Sequence, residues 1–168
     1  HPEFGELSSR LDLALANGRA LLEAAEVRQD GSHLLTASGS APVSVRVTDA
    51  GQPEVELDEA GPLEGDFAIN ADSQLWPFLR DAFGLHFDGP DVRGTLAGSL
   101  ARPDGELAFE AQQGRYTPDV EGAPEYPALE NPRLRLEIDT ASVRLGESGA
   151  RLLGQPIRVR GELPMGEA

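Results

Sequence analysis

Apolar and polar residues alternate along most of this sequence. In one run, Val43, Val45 and Val47 are separated by Ser44 and Arg46. The same period of two recurs in residues 11–15, 55–57, 63–69, 92–100, 107–111, 134–138, 143–145 and 157–163. This pattern predicts β-strands that are apolar on one face and polar on the other. One-sided strands of this kind favour antiparallel pairing.

Turn-forming dipeptides fall between these runs. They are Asn17-Gly18, Asp30-Gly31, Asp104-Gly105 and Gly146-Glu147, and each is typical of a tight connection between strands. Residues 116–132 contain four prolines and are expected to form a long loop, with at most a short edge strand, because proline cannot donate a ladder hydrogen bond. These signals predict an extended meander or a sandwich.

One segment departs from the alternation and predicts a short amphipathic helix over about 73–83. Asp72 or Ser73 can cap its N-terminus, and Gly84 ends it. Its apolar residues are Leu75, Leu79, Ala82 and Phe83 on one face, which Trp76 and Phe78 broaden. A single helix of this kind among strands is expected to plug an open end of the apolar sheet or to lie across it.

The length of 168 residues is sufficient for one domain with a sizeable core. Residues 1–4 lack an initiator Met and are expected to be a remnant outside the domain. We assign 5–164 to a single β domain that is part of a longer protein, and 165–168 to a tail. No apolar stretch approaches the roughly 18 residues of a membrane span. Cysteine is absent, so no disulfide or thiolate chemistry is available.

The net charge of −15 weighs against several classes of partner. An acidic surface repels phosphate backbones, so we expect no nucleic-acid partner. It also disfavours peripheral docking on anionic headgroups. All 14 basic residues are arginine.

No motif in the sequence indicates catalysis or a cofactor. His33 and His86 are far apart, and G-x-S-x-G, Walker and dinucleotide-binding motifs are absent. An acidic cluster comprises Glu54, Glu56, Asp58, Glu59, Glu64 and Asp66. Calcium would suit such oxygen ligands, but the spacing of a calcium loop is missing. We therefore expect a solvated acidic surface, no metal, no cofactor and no enzymatic activity.

Glycine, leucine and proline recur at strand spacing through residues 61–164. The series includes Gly61-x-Leu63-x-Gly65, the helical segment, Gly94-x-Leu96-x-Gly98, and Pro103-x-Gly105-x-Leu107. This cadence resembles the repeats of TamB-like and AsmA-like envelope proteins, the family of the inner-membrane subunit of the translocation and assembly module. Residues 5–60 resemble that family more loosely.

The resemblance implies an all-β fold, in which an extended, twisted and mainly antiparallel sheet is folded into a U-shaped trough with an apolar inner face. It implies a periplasmic segment of a bridge between two membranes, anchored in the inner membrane by an N-terminal span outside this sequence. Its ligand would be a phospholipid or another acyl chain, and an outer-membrane β-barrel protein is a further possible partner. The implied roles are lipid transport, outer-membrane protein assembly, or both.

The candidate groove residues are those at the apolar positions of the predicted strands. They are Leu63, Phe67, Ile69, Val92, Leu96, Leu100, Leu107, Phe109, Leu134, Leu136, Ile138, Ile157, Val159 and Leu163. Two alternatives stay open from the sequence. One is a structural or adhesion β module in which these residues fill a closed core. The weaker one is an envelope carbohydrate-active enzyme, although aromatic residues, which would stack on sugars, are only 5% of the chain.

Overall fold

The computed structural model describes residues 7–29, 31–48, 50–118 and 124–164. Within these ranges the chain forms twelve strands and one short helix. The strands belong to one antiparallel sheet that does not close on itself. The prediction of an open, mainly antiparallel all-β sheet with one short helix is therefore confirmed. The chain ends, including residues 1–6 and 165–168, lie outside the described residues.

In chain order the elements are β1 (Leu7–Ala16), β2 (Arg19–Gln29), β3 (Ser32–Val47), β4 (Pro53–Leu57), β5 (Glu64–Ile69), α1 (Leu75–Phe83), β6 (Leu85–Asp88), β7 (Asp91–Gly98), β8 (Pro103–Glu110), β9 (Gln113–Tyr116), β10 (Leu129–Ile138), β11 (Ser142–Leu152) and β12 (Gln155–Pro164). Nine strands form the main path, in the order β1-β2-β3-β5-β7-β8-β10-β11-β12. The other three are attached to it, with β4 on β3, β9 on β10, and β6 on β9.

Two of the four predicted turn dipeptides are not turns. Asn17 and Gly18 connect β1 and β2 as predicted, both with positive φ, which a two-residue hairpin turn requires. Asp104-Gly105, however, lies inside β8, and the connection is made by residues 99–102 after Gly98. Gly146-Glu147 lies inside β11 at a bulge, where the register with β12 shifts between residues 145 and 148. Asp30 lies outside the described residues.

The strands β6–β7 and β8–β9 form one long hairpin with a bend in its middle. Its pairing register continues from Leu85 opposite Tyr116 to Gly98 opposite Pro103. It is interrupted at residues 89–90 and 111–112, where Pro90 is buried. Proline at this point cannot donate to the ladder and bends the strand. The bend turns the end of the hairpin toward one face of the sheet.

The predicted loop over 116–132 is shorter in the structure. Tyr116 is the last residue of β9, and β10 begins at Leu129, so residues 129–132 belong to a strand. Pro132 is accommodated because its carbonyl accepts a hydrogen bond from the amide of Ala111 at 3.1 Å, beside the bend where the ladder is already interrupted. Residues 119–123 lie outside the described part.

The helix α1 agrees with the prediction in its length and its end. Gly84 adopts a left-handed conformation, with φ of 69°, and its amide donates to the carbonyl of Arg80, as is common at helix C-termini. At the start, the N-cap position is Gln74 rather than the predicted Asp72 or Ser73, and the hydroxyl of Ser73 accepts a hydrogen bond from the amide of Leu75 at 3.2 Å. The expected apolar face was partly wrong, because Trp76 is the buried residue and Phe83 is exposed.

A carboxylate orders the connection between β10 and β11. Asp139 accepts hydrogen bonds from the amides of Ala141 and Ser142, at 2.7 Å and 2.8 Å, and lies beside the guanidinium of Arg144. The two amides, and then Arg144, hold the pKa of Asp139 below its usual range.

We expect Asp139→Asn to lower stability at pH 7, because the asparagine keeps an acceptor oxygen but loses the charge. A depressed carboxylate pKa contributes stability above its unfolded value, near pH 4, and this contribution is lost as the pH falls through the folded value. Urea unfolding midpoints at pH 7 and pH 3 test this. The difference from the wild type should be present at pH 7 and shrink at pH 3. Asp104→Asn, at an exposed position of β8, should change neither midpoint.

Candidate functional site

The apolar positions of the nine main strands line up in rows across the sheet. Paired residues on neighbouring strands point to the same face, so the pairing register shows which side chains share it. One complete row runs Leu13, Leu22, Gly39, Gly65, Leu96, Gly105, Ile138, Val143, Leu163. A second runs Leu11, Ala25, Ala37, Phe67, Gly94, Leu107, Leu136, Leu145, Gly161. Every position in both rows is apolar or glycine, and we call this side the apolar face.

Twelve of the fourteen candidate residues lie in strands on the apolar face. A third row places Ile69, Val92, Phe109 and Leu134 side by side. Along β12, Ile157, Val159 and Leu163 follow at every second position on the same side. The remaining two, Leu63 and Leu100, lie in connections rather than strands. Leu63 is half-buried, and Leu100 is exposed.

The opposite side of the same strands is polar. One row between the apolar ones runs Asp66, Thr95, Glu106, Glu137, Arg144, Glu162. Within it, Arg144 approaches Glu162 at 3.7 Å. Arg135, two residues from Glu137 on the same side of β10, forms an ion pair with Glu106 at 2.7 Å. We call this side the polar face.

No second layer covers the apolar face in the part of the chain that the structure describes. Apart from Pro90 and Pro132, the buried apolar side chains among the described residues are Trp76, Val92 and Ala111. Exposed residues lie at the centre of the face as well as at its edges: Leu96 in β7 is 42% exposed, and Leu13 and Leu163 on the two edge strands are 71% and 68% exposed. A soluble monomer rarely exposes an apolar surface of this extent without a ligand or partner for it.

The helix α1 closes one end of the apolar face. The Trp76 ring lies 6.2 Å from Phe109 and 6.1 Å from Phe87, measured between ring centroids. Its indole Nε1 donates to the carbonyl of Asn70 at 2.7 Å, so its polar atom is satisfied while the ring is buried. The hydroxyl of Ser73 donates to the carbonyl of Leu34 in β3 at 2.9 Å and fixes the start of the helix to the sheet.

The bend in the long hairpin makes this end of the sheet concave. Phe87 is paired with Gly114, and a straight strand would separate residues 109 and 114 by roughly 17 Å. The rings of Phe87 and Phe109 are nevertheless only 5.1 Å apart, so the hairpin folds over the apolar face. Glycine at 94 permits a further close contact, since a Cβ there would lie 2.0 Å from the ring of Phe67.

Sequence reasoning missed one part of this face. The strand β2 contributes Leu22, Ala25 and Val27, but its period is broken where the register with β3 shifts between Leu22 and Ala25. The bulge adds one residue to the strand, so the apolar positions no longer alternate. Sequence reasoning also missed the contact between the rings of Phe87 and Trp76, because this contact depends on the bend in the hairpin.

The acidic cluster does not assemble a metal site. Glu54 and Glu56 lie in β4 and are exposed, and Glu56 forms an ion pair with Arg46 at 3.3 Å. Within the described ranges, no group of three or more His, Asp or Glu side chains is placed to hold a metal ion. The two histidines lie apart as the sequence indicated: His33 is half-buried within β3, and His86 is exposed on β6.

No protein-family model matches the chain, and neither the curated proteins nor the solved structures contain a significant match to it. None of the helices in the described residues has the length and apolar character needed to cross a membrane. The fold and site define a class of architecture: an open, single-layer antiparallel sheet with one continuous apolar face.

Proposed function

We propose that this chain is a non-enzymatic, periplasmic segment of a bridge between two membranes, and that its apolar face holds phospholipid acyl chains. The supporting observation is the continuous apolar face, which crosses nine strands without a polar side chain in the two complete rows. The role in the cell would be lipid transport, assembly of outer-membrane proteins, or both.

The chemistry of the face suits a long hydrocarbon chain. Each methylene transferred from water to an apolar surface contributes about 0.8 kcal/mol. An acyl chain lying along a row would touch apolar side chains at successive strands, which are about 4.8 Å apart. Binding would therefore be spread over many weak contacts, and a chain could move along the row without leaving the apolar surface.

Large and small residues are mixed along each row in a way that favours a groove. Gly39, Gly65 and Gly105 occupy three positions of the first row, and Ala25, Ala37, Gly94 and Gly161 occupy four of the second. Missing side chains leave shallow depressions between leucine and phenylalanine side chains. With α1 covering one end, the other end at Leu96 and Ile138 is exposed and would admit a ligand.

The closed-core alternative receives less support. A β module with a closed core needs a second layer about 10 Å above the first, with side chains from both filling the space. Leu96 remains 42% exposed at the centre of the first row. The open face therefore favours ligand binding over a purely structural role.

Photo-crosslinking from neighbouring residues of β7 tests the proposal. A photoreactive amino acid at Leu96, on the apolar face, should capture phospholipid from vesicles or cells. The same amino acid at Thr95, on the polar face, should not, although the two positions share a strand and are both exposed. Mass spectrometry of an organic extract of the purified protein should also show retained lipid. Equal labelling at both positions, or no lipid at either, would contradict the proposal.

A further inference from the structure

Four arginines gather on the polar face near one edge of the sheet. Arg133 lies in β10, Arg151 in β11, and Arg158 and Arg160 in β12. In each strand these residues occupy positions between those of the apolar face, so all four side chains belong to the other side. Together they line one concavity of about 590 Å³, which also includes Asn131 and Glu147.

These arginines differ from most others in the protein because they have no carboxylate partner. Eight of the 14 arginines form an ion pair within 4.0 Å: Arg10, Arg19, Arg28, Arg46, Arg80, Arg93, Arg135 and Arg144. Among the six that have no such pair within the described ranges, four line this concavity. Their clustering is unexpected in a chain of net charge −15, in which carboxylates outnumber arginines twofold.

The floor of the concavity is a glycine. Gly149 is paired with Arg133 on one side and with Arg158 on the other. The two arginines are therefore separated by two strand spacings, about 10 Å, with no side chain between them. Asn131 adds an amide at the rim. Arginine side chains are long enough to converge over this gap from both sides.

Three carboxylates lie near the four arginines without forming ion pairs with them. Glu110 is paired with Arg133 and Glu130 with Arg151 across the strands, and Glu147 lines the concavity, but none of the three lies within 4.0 Å of any of these guanidinium groups in the described chain. Arg158 and Arg160 are two residues apart on the same side of a strand, so their charges repel each other. An anion that bridged the guanidinium groups would relieve this repulsion.

The geometry points to a binding site for a small anion that carries two or more phosphoryl groups. Guanidinium groups bind phosphoryl oxygens through pairs of parallel hydrogen bonds, and four arginines around one gap suit more than one phosphoryl group. The volume falls in the range of small-molecule sites. A nucleic acid would have to approach the acidic remainder of the surface. This inference is independent of the proposed function, because it concerns the polar face.

Inorganic pyrophosphate is the probe for this site. At constant ionic strength, calorimetric titration should show saturable binding and a raised melting temperature, as a ligand specific for the folded state requires. The double variant Arg133→Gln/Arg158→Gln should weaken binding about a hundredfold, since each charge-assisted hydrogen-bonding group contributes a factor of about ten or more. The matched control, Arg102→Gln/Arg115→Gln, removes the same charge from exposed arginines elsewhere and should leave the affinity within about twofold.

A second arm distinguishes the source of the phosphoryl groups. A short-chain diacylglycerol pyrophosphate, a lipid whose headgroup carries two phosphoryl groups, is kept below its micelle concentration and titrated in the same way. Competition with pyrophosphate through the same arginines would support a lipid headgroup as the natural ligand. Binding of pyrophosphate alone would support a free phosphorylated compound. The inference would be overturned if neither probe binds, or if both double variants weaken binding equally. Self-association through the arginines, seen in analytical ultracentrifugation, would also overturn it.

Discussion

Val92→Asp should unfold this protein, whereas Leu96→Asp should leave it folded. Both residues lie on the apolar face of β7, four positions apart, but Val92 is 9% exposed and Leu96 is 42% exposed. A carboxylate at position 92 would be buried among Ile69, Phe109 and their neighbours without a partner. That costs several kcal/mol, which is comparable with the whole stability of a typical domain, about 5–15 kcal/mol. A carboxylate at position 96 would remain in contact with water.

Circular dichroism and urea unfolding of the two variants measure this difference. If Leu96→Asp unfolds as readily as Val92→Asp, the apolar face is covered in solution and the closed-core alternative gains support. If Leu96→Asp folds and the photo-crosslinking of lipid is lost from a neighbouring apolar position such as Ile138, the open face and its ligand are both supported. Thr95→Asp, on the polar face, is the matched control and should change neither property.

Trp76→Ala should destabilise the protein by about 3–5 kcal/mol, as is usual when a large buried aromatic side chain is removed. The substitution deletes the ring that contacts Phe87 and Phe109, together with the hydrogen bond to Asn70. Phe83→Ala removes a comparable ring from the same helix, but Phe83 is exposed and its loss should cost less than about 1 kcal/mol. Urea midpoints of the two variants compare the effects directly. Equal midpoints would show that α1 does not pack on the sheet in solution.

The sequence was a good guide to which residues share a face. The alternation along β5, β7, β8, β10 and β12 was enough to place Phe67, Leu107 and Leu136 together, because the period of a strand is fixed by backbone geometry. It was also enough to separate α1 from the strands. The antiparallel sheet with one helix was therefore predictable, but the alternation did not distinguish an open sheet from a closed sandwich.

The sequence was a poor guide wherever the backbone leaves its ideal period. A bulge in β2 displaced Ala25 from the alternation, and a bulge in β11 made Gly146 look like a turn residue. In the same way, Asp104-Gly105 lies within a strand, because local turn propensity gave way to cross-strand pairing with β7. Local signals of this kind are weak compared with the burial and pairing of a whole strand.

The contacts between distant segments could not be predicted at all. The aromatic cluster of Trp76, Phe87 and Phe109 depends on a bend at Pro90 and on the register of the hairpin. The arginine cluster depends on Gly149 lying between Arg133 and Arg158. Neither strand register can be read from the residues that it brings together. The sequence therefore contains no signal for the anion site that we propose on the polar face.

The single-layer sheet also determines how the molecule comes apart. Each main strand contacts chiefly the strands beside it. The free energy of unfolding is therefore close to a sum of contributions from neighbouring strands, as in a repeat protein. An edge strand such as β12 can detach without disturbing β5 or β7, and amide hydrogens should exchange fastest at the edges and slowest at the centre. A ligand held across several strands would couple them, turning a sheet that frays strand by strand into one that opens cooperatively.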